Sequence, residues 1–218
     1  MATEPIRTPE IPYPFPPGRE PPRRVEPAMV PVVDIPAGGP LDHLFDRRII
    51  LVNGALDSAA STALCASLLA LDRRSADDVE VVVSSPGGPL DELAAVLDVI
   101  QLMRARTNTT CTGIARGTAA ALVACGTGNR RAAPNARLTL RLEHEQAAAG
   151  PADDVRRRAA ELAIRRDQLT DALTRATGQS ADVITAELDA GDWHDAAAAR
   201  RLGLVDEVVE PRPRLIAR

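Results

Sequence analysis

The sequence predicts an α/β fold with a mostly parallel sheet. Two observations carry this: short β-branched runs alternate with longer stretches of helical periodicity, and the turns between them are brief and rich in Gly, Pro, Asn and Asp. Residues 48–52, Arg-Ile-Ile-Leu-Val, form an apolar run ending at Asn53-Gly54, a strand followed by a turn. Asp57 with Ser58 caps a helix that carries Ala59, Ala63, Leu64, Ser67, Leu68 and Leu71 on one side. Residues 79–83 form a second strand entering Ser84-Ser-Pro-Gly-Gly88. Pro89 suits the first turn of a helix, and Leu93, Val96, Leu97, Ile100 and Met103 follow at helical spacing. Residues 109–112 predict a third strand, 118–125 a helix of small residues, and 137–142 a fourth strand. A long helix is expected from Ala152 to Thr177, with Val155, Leu162, Leu169, Leu173 and Ala176 as its apolar stripe and Gly178 as its C-cap. Its other faces are dense in charge, which suits either a surface helix closing one domain or an oligomerisation helix.

The globular pattern is expected over residues 33–210, between an N-terminal tail over 1–32 and a C-terminal tail over 211–218. Residues 1–40 hold 12 of the 18 prolines, and a missing backbone donor with a fixed φ stops helix and sheet alike from propagating there. The tail reads as disordered or extended; Tyr13 and Phe15 also suit a polyproline-type docking segment.

Composition narrows the function classes. The formal net charge is −4 and no run is strongly basic, which argues against nucleic-acid binding. Only 2% of residues are aromatic, so the core must be built from Ala, Val, Leu and Ile. Cys65, Cys111 and Cys125 are odd in number and widely spaced, suggesting neither a disulfide framework nor a metal site. No apolar run is long enough to span a bilayer, and the acidic, proline-rich start lacks the form of a signal peptide, so the expected compartment is the cytoplasm. No cofactor is implied, and no phosphate-cradling glycine loop of the P-loop type is present.

Five ordered segments carry a family resemblance. Leu44-Phe-Asp-Arg-Arg-Ile-Ile-Leu51, Val82-Val-Ser-Ser-Pro-Gly-Gly88, Pro134-Asn-Ala-Arg137, Thr177-Gly-Gln179 and Gly203-Leu-Val-Asp206 resemble, in the same order, segments of the Clp protease proteolytic subunit (ClpP), peptidase family S14. The stretch Cys111–Gly126 resembles the strand, turn and helix that carry that family's nucleophilic serine. The resemblance runs from about Leu41 to Val209. It implies a ClpP/crotonase-like spiral of βα units with a long handle helix, stacked rings enclosing a chamber where unfolded polypeptide is degraded, and an AAA+ ATPase that feeds it.

The resemblance also locates the catalytic positions, and two of the three are occupied by residues that cannot perform the chemistry. A serine peptidase needs a nucleophile, a base and a residue that orients the base. The serine position is Gly117, which has no side-chain atom to attack a carbonyl. The histidine position is Arg141, and an arginine cannot accept the nucleophile's proton. The aspartate position is Glu187, with Asp189 as a nearby alternative. The oxyanion-hole positions, which act through backbone N–H groups, are Gly88 and Thr118; Gly87 and Gly88 are equally explained by turn geometry. The candidate substitutes are His144, His194, Thr118 and Cys125. His144 falls on the opposite strand face from Arg141, His194 reads as a surface or core residue, Thr118 is expected to point away at a tight turn, and Cys125 reads as a buried small residue.

The family's ATPase-docking pocket matches Glu80, Val82 and Leu102, with Glu80 in place of an aromatic. The resemblance thus implies a non-catalytic, ClpR-like structural or regulatory subunit of a homo- or hetero-oligomeric ring with ClpP-type subunits. The alternatives are an active serine-type or unconventional endopeptidase and a crotonase-like acyl-CoA enzyme.

Overall fold

The computed structural model describes residues 39–142 and 152–210. The expected tails and His144 lie outside them. Seven strands form one sheet, in the order β1 (Ile49–Asn53), β2 (Val79–Ser85), β3 (Thr107–Arg116), β4 (Arg130–Ala132) and β7 (Glu207–Val208), all parallel. A side branch leaves β3: β5 (Arg137–Thr139) pairs with it in parallel, and β6 (His194–Asp195) pairs with β5 antiparallel. The helices among the described residues are α1 (Pro40–Asp46), α2 (Ser58–Arg74), α3 (Leu90–Leu102), α4 (Thr118–Ala124), α5 (Ala152–Thr177), α6 (Ala181–Ala190) and α7 (Ala196–Leu202).

β3 is the trunk of the architecture. Its first half pairs with β4 through Thr109–Cys111, and its second half pairs with β5 through Ile114–Arg116. Between them Gly113 has a φ of 69°, and the register against β2 slips so that Val83 and Ser85 face Cys111 and Ala115. Two residues of β2 thus span four of β3, a bulge that bends the strand and re-aims its end. The strand expected over residues 109–112 therefore continues to Arg116, and the one expected over 137–142 stops at Thr139.

Among the described residues the buried core contains no aromatic side chain, with Phe45 packed against its edge. Leu56, Leu68, Leu71, Leu93, Ile100, Leu122, Leu138, Leu173, Ile184 and Leu204 are fully buried or nearly so. Every residue of α4 is buried, which Thr-Ala-Ala-Ala-Leu-Val-Ala allows because small side chains let neighbouring elements approach its backbone closely. The α5 stripe is buried only toward its C-terminal end, at Leu169 and Leu173; Val155 and Ile164, nearer the start, are exposed. Arg158 and Arg165 tie that outer half to Asp91 in the first turn of α3, at 3.6 and 3.2 Å.

Two arginines close helix ends. Arg48 donates to the carbonyls of Leu71, Ser75, Asp77 and Asp78 at 2.7–3.2 Å, around the C-terminus of α2. Arg130 goes further: its Nη1 donates to the carbonyls of Ala124, Ala176 and Gly203 at 3.0, 2.7 and 3.0 Å, so one nitrogen serves the C-terminal ends of α4, α5 and α7. Its Nε and Nη2 grip the Asp206 carboxylate. Cationic donors at helix C-termini satisfy orphan carbonyls and complement the helix dipole. That grip holds the Asp206 carboxyl below its usual range, so its stabilising contribution is present at neutral pH and is lost as pH falls through the lowered value.

Arg130→Ala is expected to destabilise the protein by about 3 kcal/mol, because three carbonyls and a carboxylate lose their shared donor. A thermal melt should show a fall of roughly 6–12 °C. An unchanged melting temperature would mean that the three helix ends are held by something else.

Candidate functional site

The end of β3, re-aimed by its bulge, delivers the chain into a sharp turn at Gly117 and then into α4. Gly117 has a φ of 53° and a ψ of −115°, a combination that residues with a Cβ adopt only under strain. This is the strand-to-helix elbow that holds a nucleophile proud of a sheet in many hydrolases. The turn is pinned by Gly117 N–H donating to Thr139 O at 2.8 Å and by Ala121 N–H donating to Gly117 O at 3.0 Å. A Cβ on Gly117 would lie 2.8 Å from the carbonyl oxygen of Arg141. The elbow is therefore present, but the strand end beside it closes on the space a side chain would need.

A cavity of about 560 Å³ opens next to this turn. Gly88, Thr118, Arg141 and Asp189 all line it, with Leu90, Leu142, Leu162 and Leu188 as its apolar walls. Arg166, read from the sequence only as part of a charged helix face, also lines it and is ion-paired with Asp189. Glu187 is not part of the lining. Its Oε2 lies 2.7 Å from Nε2 of His194, and both side chains are largely buried.

His194 is thus neither a plain surface residue nor a plain core residue: it is a partner of the carboxylate at the aspartate position. The sequence hides this because the pairing depends on β6 lying antiparallel to β5, with His194 opposite Leu138, and a two-residue strand leaves no periodic signal. Arg141 does not reach Glu187. Its side chain lies along Gly191, where a Cβ would come within 2.5 Å of Arg141 Cδ.

Thr118 departs from expectation. Its side chain does not point away; Oγ1 accepts the Gly88 N–H at 2.8 Å and donates to Gly88 O at 3.1 Å. Of the two backbone donors expected at an oxyanion hole, the Gly88 N–H is already bonded within the protein. Gly88 also has a steric reason to lack a side chain, since a Cβ there would lie 2.0 Å from Leu56 O.

The remaining nucleophile candidates are quiescent. Burial pushes the Cys125 thiol up to about 11 and the Cys111 thiol up to about 12, leaving little thiolate at neutral pH. Among the described residues no hydroxyl or thiol is hydrogen-bonded to His194, and no group of three His, Cys, Asp or Glu side chains gathers as a metal site.

On the opposite part of the sheet, Glu80 accepts from Thr110 Oγ1 at 2.6 Å and pairs with Arg131, which also approaches Glu207 at 4.0 Å. Leu102 is 82% exposed. Glu80 is therefore part of a polar network across β2, β3, β4 and β7.

Gly117→Ala is expected to cost about 2 kcal/mol or more, from strain at the turn and contact with Arg141 O. Equilibrium urea unfolding checks it; wild-type stability would show that the turn relaxes freely. Thr118→Val keeps the shape of the side chain and strips the acceptor from the Gly88 N–H, a loss of about 1–3 kcal/mol that Thr118→Ser should largely avoid in the same assay.

Comparison with known proteins places this geometry. The Clp protease family model matches residues 38–212. The chain is 35% identical over 175 residues to ATP-dependent Clp protease proteolytic subunit 1 of Rhodococcus jostii, covering 79% of this chain and 80% of that one. It is 36% identical over 179 residues to ATP-dependent Clp protease proteolytic subunit 2 of Mycobacterium leprae, covering 79% and 82%. The crystal structure of the ClpP protease catalytic domain from Plasmodium falciparum superimposes with a TM-score of 0.70 at 24% identity, over 82% of this chain and 94% of that one, a likeness of fold. A five-strand parallel path with a bent central strand, an elbow at its end and a 26-residue helix beyond it is therefore the ClpP-type spiral of βα units, and the chain belongs to the Clp protease family.

Proposed function

We propose that this chain is a non-catalytic proteolytic-subunit paralogue that takes a place in a Clp-type ring without cleaving peptide bonds itself. The observation that carries the reading is the elbow at Gly117: its backbone has the shape that presents a nucleophile, yet there is no side chain, and the Arg141 carbonyl lies 2.8 Å from where a Cβ would be. Two further facts support it. The base position holds a guanidinium, and the Gly88 N–H that would stabilise a developing oxyanion is bonded to Thr118. Catalytic machinery of this kind acts as a unit, so losing the nucleophile and base together removes most of the rate enhancement.

Assembly with other subunits of proteolytic type is part of the same proposal. The exposed Val155 and Ile164 on the outer half of α5 supply apolar surface that a ring-to-ring contact would cover. The proposal leaves ATPase contact to the other subunits, because the Glu80–Arg131 network puts charge where an apolar anchor would seat. It places the assembly in the cytoplasm; among the described residues no helix is long and apolar enough to cross a membrane.

One observation favours the alternative of an unconventional endopeptidase. His194 and Glu187 at 2.7 Å have the pairing of a base and its orienting carboxylate, with no nucleophile beside them among the described residues. A hydroxyl or thiol brought to His194 by a neighbouring subunit would complete it.

The purified chain is expected to give no turnover of a fluorogenic peptide, and Gly117→Ser none either, since position 141 still carries no base. Tagged and expressed in its native cell, it should co-purify with a catalytic proteolytic subunit in similar amount. Turnover abolished by His194→Ala would instead establish the alternative, and strict self-association in the cell would overturn the ring-partner role.

A further inference from the structure

Among the described residues, the cavity beside Gly117 is lined by one cation without an ionic partner, the solvent-exposed Arg141. Arg166 in its wall is paired with Asp189, whereas the guanidinium of Arg141 has neither a hydrogen bond nor an ion pair among the described residues. Among those residues Arg141 is engaged through its backbone N–H alone, which donates to Thr139 Oγ1 at 3.3 Å.

The placement of this arginine is built into the fold. Helix α6 ends at Gly191 in the left-handed conformation, with a φ of 69°. A Cβ there would lie 2.5, 2.9 and 3.0 Å from Cδ, Cβ and Cγ of Arg141. The bare Cα of the helix cap is thus the shelf on which the aliphatic stem rests, and resting there costs the side chain part of its rotamer freedom in advance. A pre-oriented planar fork loses less on binding a carboxylate than a freely rotating one.

Apart from Thr118 and the Arg166–Asp189 pair, the side chains of the remaining wall are apolar. Leu90, Leu142, Leu162 and Leu188 face a volume of about 560 Å³, large enough for a few amino-acid residues. A single unpaired guanidinium beside leucine walls selects a ligand with one carboxylate attached to a branched aliphatic body. A peptide in mid-chain offers no charge to meet the guanidinium, whereas a peptide end does.

The geometry points to a binding site for the free C-terminal carboxylate of a peptide that ends in a leucine-like residue, with Arg141 as the carboxylate receptor. That the ligand is a peptide rests on the proposed place of this chain in a proteolytic ring; the chemistry of recognition does not. In such a ring the site holds cleavage products by their new ends and passes over uncut chain. A fatty carboxylate shares the same two features and is the competing source.

The test uses the full chain and three probes: a fluorescein-labelled Ala-Ala-Leu peptide with a free C-terminus, the same peptide as its C-terminal amide, and octanoate. Fluorescence polarisation should show the acid binding about tenfold or more tightly than the amide, as expected for a charge-assisted bidentate contact. Raising salt should narrow that preference. Arg141→Gln should erase it while leaving the thermal melt in place. If that variant does not fold, the acid–amide comparison and its salt dependence on the wild-type chain decide alone.

Equal affinity for acid and amide, or a preference surviving in Arg141→Gln, overturns the assignment. Octanoate binding with no peptide binding overturns the peptide as ligand. Acid-selective peptide binding by a chain that co-purifies with no catalytic subunit would sustain the site and sink the ring-partner role, so the two failures are separable.

Discussion

Arg130 stands where the C-terminal ends of α4, α5 and α7 converge, and the closure of the fold depends on that convergence. Each helix end presents carbonyl oxygens without intrahelical partners, and three such ends brought together concentrate partial negative charge. One guanidinium nitrogen reaches Ala124, Ala176 and Gly203, and the rest of the group is held by Asp206 just before β7. The buried α4, the long α5 and the C-terminal turn are thereby fixed to one point on β4. Arg48 applies the same chemistry at the end of α2. In a chain without lysine and with almost no aromatic residues, arginine takes on joining work that large side chains do elsewhere.

The site follows from that closure. With α4 held by its end, its first residue is held too, and Gly117 is forced into the backbone shape of an elbow. The chain leaving β5 brings the Arg141 carbonyl against the glycine. The contact comes from the Arg141 backbone, so the lack of space at 117 does not depend on which side chain stands at 141. The Glu187–His194 pair lies outside the cavity lining, so a carboxylate and an imidazole persist together apart from it.

Helix α5 was legible to the residue, because a charged surface interrupted by a repeating apolar stripe and closed by Gly178 leaves no competing period. Helix α3 was legible for the same reason. Only residues 109–112 of β3 are legible because Gly113 breaks its alternation, yet that glycine lies where the strand passes from one neighbour to the other. β4 could not be read at all: Arg130-Arg-Ala132 has the composition of a loop, and it becomes a strand only because β3 and β7 lie on either side of it. At the site, the positions of Gly117, Arg141, Gly88 and Thr118 followed from motif order. The direction of the Thr118 hydroxyl did not, since it is set by the approach of the Gly88 turn to the start of α4, a contact across thirty residues. The His194–Glu187 contact was hidden likewise, although the two residues are seven apart in sequence, because a helix end, a glycine and a strand pairing lie between them.

The Thr118 hydroxyl has one more consequence. By sitting on the Gly88 N–H at 2.8 Å it acts as a tethered competitor for that donor, present at every instant and needing no diffusion to return. Any outside acceptor would have to displace it, and an intramolecular rival of this kind competes at a high effective concentration. The donor is thus satisfied by an occupant that belongs to the chain itself.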